Sequence, residues 1–373
     1  MNNANFIGYR PTWAEVKLDN LNHNLAQVKK RLSAGTKVMV MVKADAYGHG
    51  LIPVAKKLVD YGVDYLGVAS IDEGMKLREA GINLPILVLG LILETDIEPL
   101  FTYGLAVTVC TESFARVLNK KAESLGKSIN VHIKVDTGMG RIGVLYREAL
   151  ETIKKIWALK FINIEGIFTH FALADINEEF TFTQINFFGR LIMKLREDNI
   201  HIPLVHAANS AGIINFEESH FNMVRPGLVI YGLSPDKNLN IDLKPLLSLK
   251  TKIVYVKKVP QGYGISYGHT YVTDKTTTIV TLPIGYGDGY PRNLSNQASV
   301  LIKGRYFKIS GRVCMDQIMV DVGNTPVKPG DEAVLIGSQG KSEIIVEDLA
   351  DLSGTIPYEI VCGLGSRIPR IYI

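Results

Sequence analysis

The feature that most limits the possible folds of this chain is an alternation of short apolar runs with longer amphipathic ones between residue 37 and about residue 231. Such alternation is typical of βα units around a parallel sheet. Eight runs predict strands, at residues 37–42, 64–69, 85–89, 105–109, 130–135, 163–169, 203–206 and 222–224. Eight units in about 200 residues fit a closed (β/α)8 barrel, or TIM barrel, better than a doubly wound sheet.

The sequence after about residue 240 has a different texture. Strand-like runs such as TTTIVTLPI and ASVLIKGRYFKIS are separated there by clusters of Gly, Pro, Asn and Asp, a pattern that predicts a mainly β domain. We expect the boundary in the polar, proline-flanked segment SPDKNLNIDLKP, so the predicted domains are residues 1–240 and 241–373. The first 15 or so residues could pack with the β domain.

Composition and charge exclude several classes of protein. The 373 residues are 47% hydrophobic and 21% charged, as in ordinary globular proteins. The longest apolar run, residues 84–93, is shorter than the roughly 20 residues that cross a bilayer. The amino terminus lacks the basic start and apolar core of a secretory signal, so we expect a cytoplasmic location. The net charge of +4 comes from scattered basic pairs, so neither nucleic acid nor a membrane is a predicted partner.

Neither the cysteines nor the histidines have the spacing of metal ligands, and no metal is predicted. Three cysteines lie far apart and are expected to be reduced thiols. Six histidines show no such spacing, and most of the six are expected to be solvated or hydrogen-bonded locally; the six are His49, His132, His201, His206, His220 and His269. His170 differs because it directly follows a predicted strand.

Polar residues stand just past several predicted strands, where a barrel of this kind builds its active site. They are Lys43, Asp136, His170, Asn209, Ser210, Arg225 and Gly227. Lys43 follows the apolar run VMVMV, where burial would lower its pKa toward neutrality. An unprotonated lysine can form a Schiff base with a carbonyl compound such as pyridoxal phosphate. On position alone, a lysine that extends into solvent is the alternative.

Two segments after the seventh and eighth strands have the features of a phosphate site. HAANSAGIIN places Asn209 or Ser210 at a helix cap, and RPGLVIYG supplies Gly227. Barrels commonly bind phosphate here with helix amides, hydroxyls and glycine backbone. A phosphate that carries a carbonyl next to a lysine indicates pyridoxal phosphate as the cofactor.

A glycine motif in VHIKVDTGMGRIG could instead indicate a dinucleotide site. Gly138, Gly140 and Gly143 have the G-x-G-x-x-G spacing. However, that motif usually opens the first βα turn of its sheet, and here it follows the fifth strand. The acidic residue expected at the end of the next strand is replaced by His170. The sequence therefore does not favour a nucleotide site.

Four segments together resemble the alanine racemase family. VKADAYGHG, KVDTGMGRIG, SYG and CMDQ occur in this order, and the resemblance covers nearly the whole chain. Members of this family are bacterial pyridoxal-phosphate enzymes with an amino-terminal barrel and a carboxy-terminal β domain. The resemblance implies interconversion of L-alanine and D-alanine by two-base Cα proton transfer through a pyridoxal phosphate aldimine. It also implies that the D-alanine is supplied for peptidoglycan.

The resemblance implies a role for individual residues. Lys43 resembles the lysine that carries the cofactor and acts as the base on the D face, and Tyr267 resembles the base on the L face. Arg225 matches the arginine that faces the pyridine nitrogen. Because this arginine stays protonated, the ring would be a weaker electron sink, which would suppress transamination. The remaining predicted cofactor-binding residues are Tyr47, His170, Asn209, Ser210, Gly227, Leu228 and Tyr358.

The resemblance also implies how substrate is held. Arg141 and the backbone amide of Met315 look like the clamp for the substrate carboxylate, and Lys134 matches a lysine that is often carbamylated in this family. Tyr286 and Tyr358 match the pair that narrows the entrance.

The family's second base reaches the site from a neighbouring subunit. The resemblance therefore implies a homodimer with sites completed by Tyr267 and Met315 of the partner subunit. His170 resembles the histidine that links this tyrosine to Arg225.

Three alternatives remain open. A racemase of broader or serine preference would share every residue named above. A barrel-plus-β decarboxylase is expected to have an acidic partner at the pyridine nitrogen, where this chain has Arg225. A non-catalytic pyridoxal-phosphate carrier would lack a second domain, such as the one that here contains Tyr267.

Overall fold

A parallel barrel followed by a mainly β region forms the chain. The computed structural model describes residues 9–234 and 241–373. The first strand, β1 (Thr12–Val16), precedes the barrel. The next nine strands are β2 (Lys37–Met41), β3 (Tyr65–Val68), β4 (Ile86–Val88), β5 (Ala106–Val109), β6 (Ile129–Asp136), β7 (Val144–Leu145), β8 (Ile162–Phe168), β9 (Leu204–His206) and β10 (Met223–Val224).

Eight of these strands close the barrel. Strands β2 to β6 pair in chain order, β6 then pairs with β8, and β10 returns to β2, all in parallel. The short strand β7 is an addition at the edge of β6. Every residue of β3, β4 and β5 is buried, because side chains fill the barrel on one face and helices cover the other. The predicted (β/α)8 barrel is confirmed.

Helices connect the barrel strands. They are α1 (Asn20–Lys29), α2 (Lys43–Tyr47), α3 (Leu51–Asp60), α4 (Ile71–Glu79), α5 (Glu98–Thr102), α6 (Glu112–Ser124), α7 (Tyr146–Trp157), α8 (Glu178–Glu197) and α9 (Ser210–Asn215). Helix α6 begins after Thr111, whose hydroxyl accepts the Phe114 N–H at 3.2 Å and so caps a helix end that lacks internal partners. Its buried residues are Ala115, Leu118 and Ala122.

The region after residue 241 is mainly β, as predicted. Its helices are α10 (Val346–Ser353) and α11 (Pro357–Gly363). Its strands are β11 (Leu247–Lys252), β12 (Tyr255–Val259), β13 (Gly264–Ile265), β14 (Tyr271–Val272), β15 (Thr277–Leu282), β16 (Ser299–Ile302), β17 (Arg305–Lys308), β18 (Ile318–Gly323), β19 (Glu332–Gln339), β20 (Ser342–Ile344) and β21 (Arg370–Tyr372).

Strand β1 lies in the main sheet of this β region. It pairs antiparallel with β11 and parallel with β21, and the hydroxyls of Thr12 and Thr251 are 2.7 Å apart. The two ends of the chain are therefore joined in one sheet. Half of the predicted linker, residues 235–240, lies outside the described residues.

Short 3-10 helices occur in several connections, at Glu94–Asp96, Glu217–Ser219, Leu228–Tyr231, Tyr267–His269, Tyr286–Asp288 and Arg292–Leu294. Across residues 9–234 and 241–373, no helix combines the length and apolar character needed to cross a membrane.

Candidate active site

One cavity at the carboxyl end of the barrel strands collects most of the predicted site residues. Its volume is about 440 Å³, and helix α11 of the β region closes one side of it. The predicted residues that line it are Lys43, Tyr47, Lys134, Arg141, His170, Asn209, Ser210, Arg225, Gly227 and Tyr358. Leu228 is fully buried immediately after Gly227.

The cavity is strongly cationic. Lys43, Lys134, Arg141 and Arg225 line it, and within the described part of the chain no Asp or Glu does so. A pocket with this charge favours a ligand that carries several negative charges, such as a phosphate and a carboxylate.

Lys43 directly follows Val42, a buried residue just past the end of β2. Burial lowers the pKa of its amine, and the positive charge of Arg141 lowers it further, with Glu73 acting in the opposite direction. Burial thus favours the unprotonated amine, which is the nucleophilic form.

Most of α2 is not right-handed: the backbone after Lys43 forms a left-handed turn that the sequence did not predict. Residues 44–47 have φ between 52° and 54°, a conformation that costs roughly 1–2 kcal/mol for each residue with a Cβ. The Ala44 N–H donates to Glu73 Oε1 at 2.6 Å, and Asp45 Oδ1 accepts the Leu51 N–H at 2.7 Å. These bonds hold the turn, which places Tyr47 in the cavity.

Hydroxyl and backbone groups form a cradle at one end of the cavity. Ser210 Oγ accepts the N–H of Gly227 at 3.1 Å and that of Val229 at 3.4 Å. A Cβ at Gly227 would lie 2.7 Å from the Tyr47 hydroxyl, so only glycine permits this approach. Asn209 caps α9 by accepting the Gly212 N–H at 2.9 Å. Tyr47 and Ser210 can therefore each donate a hydroxyl hydrogen to a phosphate there, beside the backbone of Gly227.

Two further tyrosines support Tyr47. Its ring stacks on Tyr231 at a centroid distance of 4.8 Å and lies 5.6 Å from the ring of Tyr358. Burial raises the pKa of Tyr47, and it raises the pKa of Tyr358 to about 12. Both phenols are therefore neutral at physiological pH and can donate hydrogen bonds.

Arg225 is buried at 3% exposure and is held by several acceptors. Its guanidinium donates to His206 Nδ1 at 2.9 Å, to the Thr169 carbonyl at 2.7 Å and to the Ala207 carbonyl at 2.9 Å. It also lies 3.2 Å from His170 Nδ1. Burial lowers its pKa to about 9, so it remains protonated near neutral pH.

His170 is a neutral imidazole in this setting. Burial and the positive charge of Arg225 lower its pKa well below the usual value. Because Arg225 can only donate, His170 Nδ1 must accept, and the ring proton lies on Nε2. This N–H is the donor that His170 offers to another group at the site.

Lys134 is one of the lining residues of the cavity and is buried at 1% exposure. Its amine donates to the Val135 carbonyl at 3.0 Å and lies 5.3 Å from the centre of the Phe168 ring. Burial, together with the charge of Arg225, lowers its pKa to about 7.

Tyr267, Met315 and Tyr286 do not meet Lys43 within a single chain. Tyr267 is 71% exposed and Met315 is 53% exposed, and both border an open depression on the β region. Tyr286 adjoins them, since its N–H donates to the Cys314 carbonyl at 3.0 Å. We call Tyr267, Tyr286 and Met315 the β-region cluster.

The glycine motif does not present its amides to a ligand. The N–H groups of Gly138 and Gly140 donate to the Asp136 carboxylate at 2.9 Å and 3.1 Å. A phosphate would have to displace a carboxylate to bind there, which agrees with the sequence argument against a nucleotide site.

His132 and His206 are exceptions to the prediction that most of the histidines are solvated or locally bonded. Both are fully buried, and His132 Nδ1 lies 2.9 Å from His206 Nε2, 74 positions away in the sequence. The position of His132 could have been predicted from the sequence. It stands two residues before Lys134 on β6, so the two side chains lie on the same face of the strand.

Comparisons with known proteins agree along nearly the whole chain. The alanine racemase N-terminal domain model matches residues 16–235, and the C-terminal domain model matches residues 246–372. An alanine racemase of Halothermothrix orenii is 53% identical over 367 residues, which cover 97% of each sequence. The solved alanine racemase of Clostridium difficile 630 has a TM-score of 0.92 at 42% identity and covers 97% of this chain and 96% of that one. A histidine racemase of Leuconostoc mesenteroides has a TM-score of 0.90 at 28% identity and covers 99% of this chain and 100% of that one.

Proposed function

Because the chain belongs to the alanine racemase family, whose members are pyridoxal-phosphate-dependent isomerases, we propose that it interconverts L-alanine and D-alanine. The product D-alanine would supply peptidoglycan synthesis. The observation that carries this proposal is a buried amine of lowered pKa, Lys43, in a cationic cavity that also contains a hydroxyl and amide cradle.

The residues that line the cavity fit pyridoxal phosphate. Lys43 offers an amine to its aldehyde, while Tyr47, Ser210 and the backbone at Gly227 offer donors to its phosphate. Arg225 offers a charged donor to a ring nitrogen. When bound, this cofactor supplies a carbonyl for the substrate amine and a ring that accepts electrons from Cα.

Two residues would move the proton of the substrate. Racemisation removes the Cα proton on one face and returns a proton on the other, so two bases on opposite faces suit it. We assign Lys43 Nζ to the D face and the phenol oxygen of Tyr267 to the L face. The Nε2 proton of His170 would offer the phenol oxygen of Tyr267 a hydrogen-bond donor.

We further propose that a homodimer completes each site. The exposure of Tyr267 and Met315, away from Lys43, supports this assembly. In it, Arg141 and the Met315 amide of the partner subunit would bind the substrate carboxylate. Residues 1–240 would bind the cofactor, and residues 241–373 would supply the second base.

The entrance would select small substrates. Tyr358 lines the cavity, and Tyr286 of the β-region cluster would face it across the dimer. The histidine racemase of similar fold makes a wider preference the second candidate. Rates with alanine, serine and histidine separate the two, since comparable rates would exclude a strict alanine racemase.

The test of the proposal is conversion of L-alanine to D-alanine by the purified protein, followed by chiral chromatography. Borohydride reduction of the yellow protein and peptide mapping should place the label on Lys43. Lys57→Ala, a change on α3 where the amine contacts Asp19 at 3.7 Å, should leave rate and label intact. A colourless protein without racemisation, or a label on another lysine, would contradict the proposal.

A further inference from the structure

A buried series of side chains leads from Arg225 through the barrel interior. His206 Nδ1 accepts from Arg225 at 2.9 Å, and His206 Nε2 lies 2.9 Å from His132 Nδ1. His132 Nε2 lies 3.5 Å from Glu165 Oε2, and that same oxygen accepts the Tyr65 hydroxyl at 2.8 Å. Glu165 borders a cavity of about 310 Å³ at the amino end of the strands. The series therefore spans the barrel from the active site to its opposite end.

The guanidinium fixes the position of each proton in this series. Arg225 only donates, so His206 Nδ1 carries a lone pair and the ring proton lies on Nε2. His132 Nδ1 accepts a hydrogen bond from this His206 N–H. The His132 ring proton therefore lies on Nε2, which faces Glu165. Burial lowers the pKa of both histidines, and both are therefore neutral.

The last contact of the series is its longest. At 3.5 Å, the separation of His132 Nε2 from Glu165 exceeds that of an ordinary hydrogen bond. Among the described residues, this buried nitrogen has no hydrogen-bond partner. The His132 N–H thus faces Glu165. The attraction between them is mainly that of the imidazole dipole for the carboxylate charge.

Arg225 needs such a charge because its direct acceptors are all neutral. They are two imidazoles and the carbonyls of Thr169 and Ala207. A buried cation without a counter-charge is costly. Contact with His132 and the hydroxyl of Tyr65 lowers the pKa of Glu165, so this carboxyl is ionised at neutral pH.

We propose that Glu165 is the remote counter-charge of Arg225, acting through the aligned dipoles of His206 and His132 as a positioning residue for the racemase reaction. It keeps the guanidinium charged and oriented. This inference rests on the proposed function, in which Arg225 faces the cofactor ring. Glu165 lies in the middle of β8, a position to which no sequence motif assigns a role.

The first test is spectroscopic and does not require activity. Protein labelled with ¹⁵N in histidine should show His206 and His132 as neutral rings protonated on Nε2, with assignments from His206→Gln and His132→Gln. Glu165→Gln keeps an oxygen for both contacts but removes the charge, and it should move the resonances of both rings. A His206 ring protonated on Nδ1, or an unmoved His206 resonance in Glu165→Gln, overturns the proposal.

The second test is kinetic. Glu165→Gln should lower kcat about tenfold, as expected for the loss of one unit charge at this distance from Arg225. The KM for alanine should stay within about twofold, because Arg225 does not hold the substrate carboxylate. Glu165→Asp keeps the charge and should recover most of kcat. Glu112→Gln removes a carboxylate that pairs with Arg116 on the barrel surface and should change neither readout.

The outcomes separate the two proposals. If Glu165→Asp is as slow as Glu165→Gln, or if Glu165→Gln matches Glu112→Gln in kcat, the counter-charge role is wrong. If the unsubstituted protein does not racemise alanine, the proposed function fails, while the histidine spectra still report on the series itself.

Discussion

Lys134 is the residue whose chemistry burial changes most directly. Its amine has a pKa of about 7, so about half of it is unprotonated at neutral pH. A neutral amine can attack CO2 to form a carbamate and release one proton. The product would be an anion among the cations Arg141, Lys43 and Arg225, which would stabilise it and orient Arg141.

We therefore expect Lys134 to carry a carbamate. Protein equilibrated with ¹³C-bicarbonate should give a carbamate resonance at pH well above 7, and the resonance should disappear at pH well below 7 because protonation removes the nucleophile. Lys134→Gln should lack the signal and Lys57→Gln should retain it. A spectrum without the resonance at any pH would rule the modification out.

The proposed two-base scheme gives Tyr267 a role on one face of the substrate only. Tyr267→Ala should still exchange the Cα proton of D-alanine with solvent deuterium, because Lys43 serves that face, and it should lose exchange for L-alanine. Proton NMR of the two enantiomers in deuterated buffer measures both rates. Tyr255→Ala is the control, at another exposed tyrosine of the β region. Equal loss for both enantiomers would contradict the assignment of faces.

The left-handed turn at residues 44–47 is an element that local sequence did not predict. The motif contains Ala and Asp, which have no strong preference for positive φ, and the turn depends on Glu73, 29 positions away. Packing explains the glycine that follows the turn, since a Cβ at Gly48 would lie 2.2 Å from the Val361 carbonyl oxygen of α11. Strained backbone of this kind is typical of functional sites.

Because the turn is strained, a glycine substitution in it should stabilise the fold, whereas glycine in a right-handed helix destabilises it. Ala44→Gly should raise the free energy of unfolding by up to about 1 kcal/mol, because glycine adopts positive φ without penalty. Ala44 is exposed, so no cavity results. Ala26→Gly, at an exposed position of right-handed α1, should lower it by about 0.5–1 kcal/mol. Urea denaturation measures both, and destabilisation by Ala44→Gly would argue against the turn.

The separation of Lys43 from the β-region cluster concerns the assembly as a whole. If each site combines Lys43 of one subunit with Tyr267 of the other, subunits of Lys43→Ala and Tyr267→Ala can complement each other. A mixed dimer then contains one intact site and one that lacks both bases. Random exchange gives half mixed dimers, so activity should return to about one quarter of that of the unsubstituted protein.

The control for complementation is each variant alone, taken through the same exchange, which should stay inactive. Analytical ultracentrifugation establishes whether dimers form and exchange. If dimers mix without any return of activity, Tyr267 does not act across the interface.

Buried histidines should govern the acid stability of the whole fold. Burial lowers the pKa of His49 to about 4 and also lowers those of His132, His170 and His206. In the unfolded chain each binds a proton near pH 6.5. Below that pH the unfolded state therefore takes up more protons, and the free energy of unfolding decreases until the folded-state pKa values are reached.

Denaturant unfolding at fixed protein concentration, measured from pH 7 downward, should show this decrease. His201→Gln should leave the pH dependence unchanged, because His201 is exposed. A free energy of unfolding that stays constant between about pH 6.5 and 4.5 would show that the folded and unfolded states bind the same number of protons, which contradicts lowered histidine pKa values in the fold.

Much of the fold and the family could be predicted from the sequence. Strand periodicity depends on neighbouring residues, so the eight barrel strands were predicted correctly. Four motifs identified the family that the comparisons confirm. The carboxyl-end rule for barrels, with those motifs, also brought Lys43, Arg225 and the phosphate cradle to one cavity.

The amino-acid sequence by itself determined the barrel, the β region and the chemical types of side chain at the strand ends, because these follow from local periodicity and short motifs. Only the tertiary structure decided that His206 and His132 connect Arg225 to Glu165 and that Tyr267 lies away from Lys43 within its own chain. Such contacts join residues far apart in sequence. Closure of the barrel sets the distances between these residues, and their burial and hydrogen bonds set the positions of their protons.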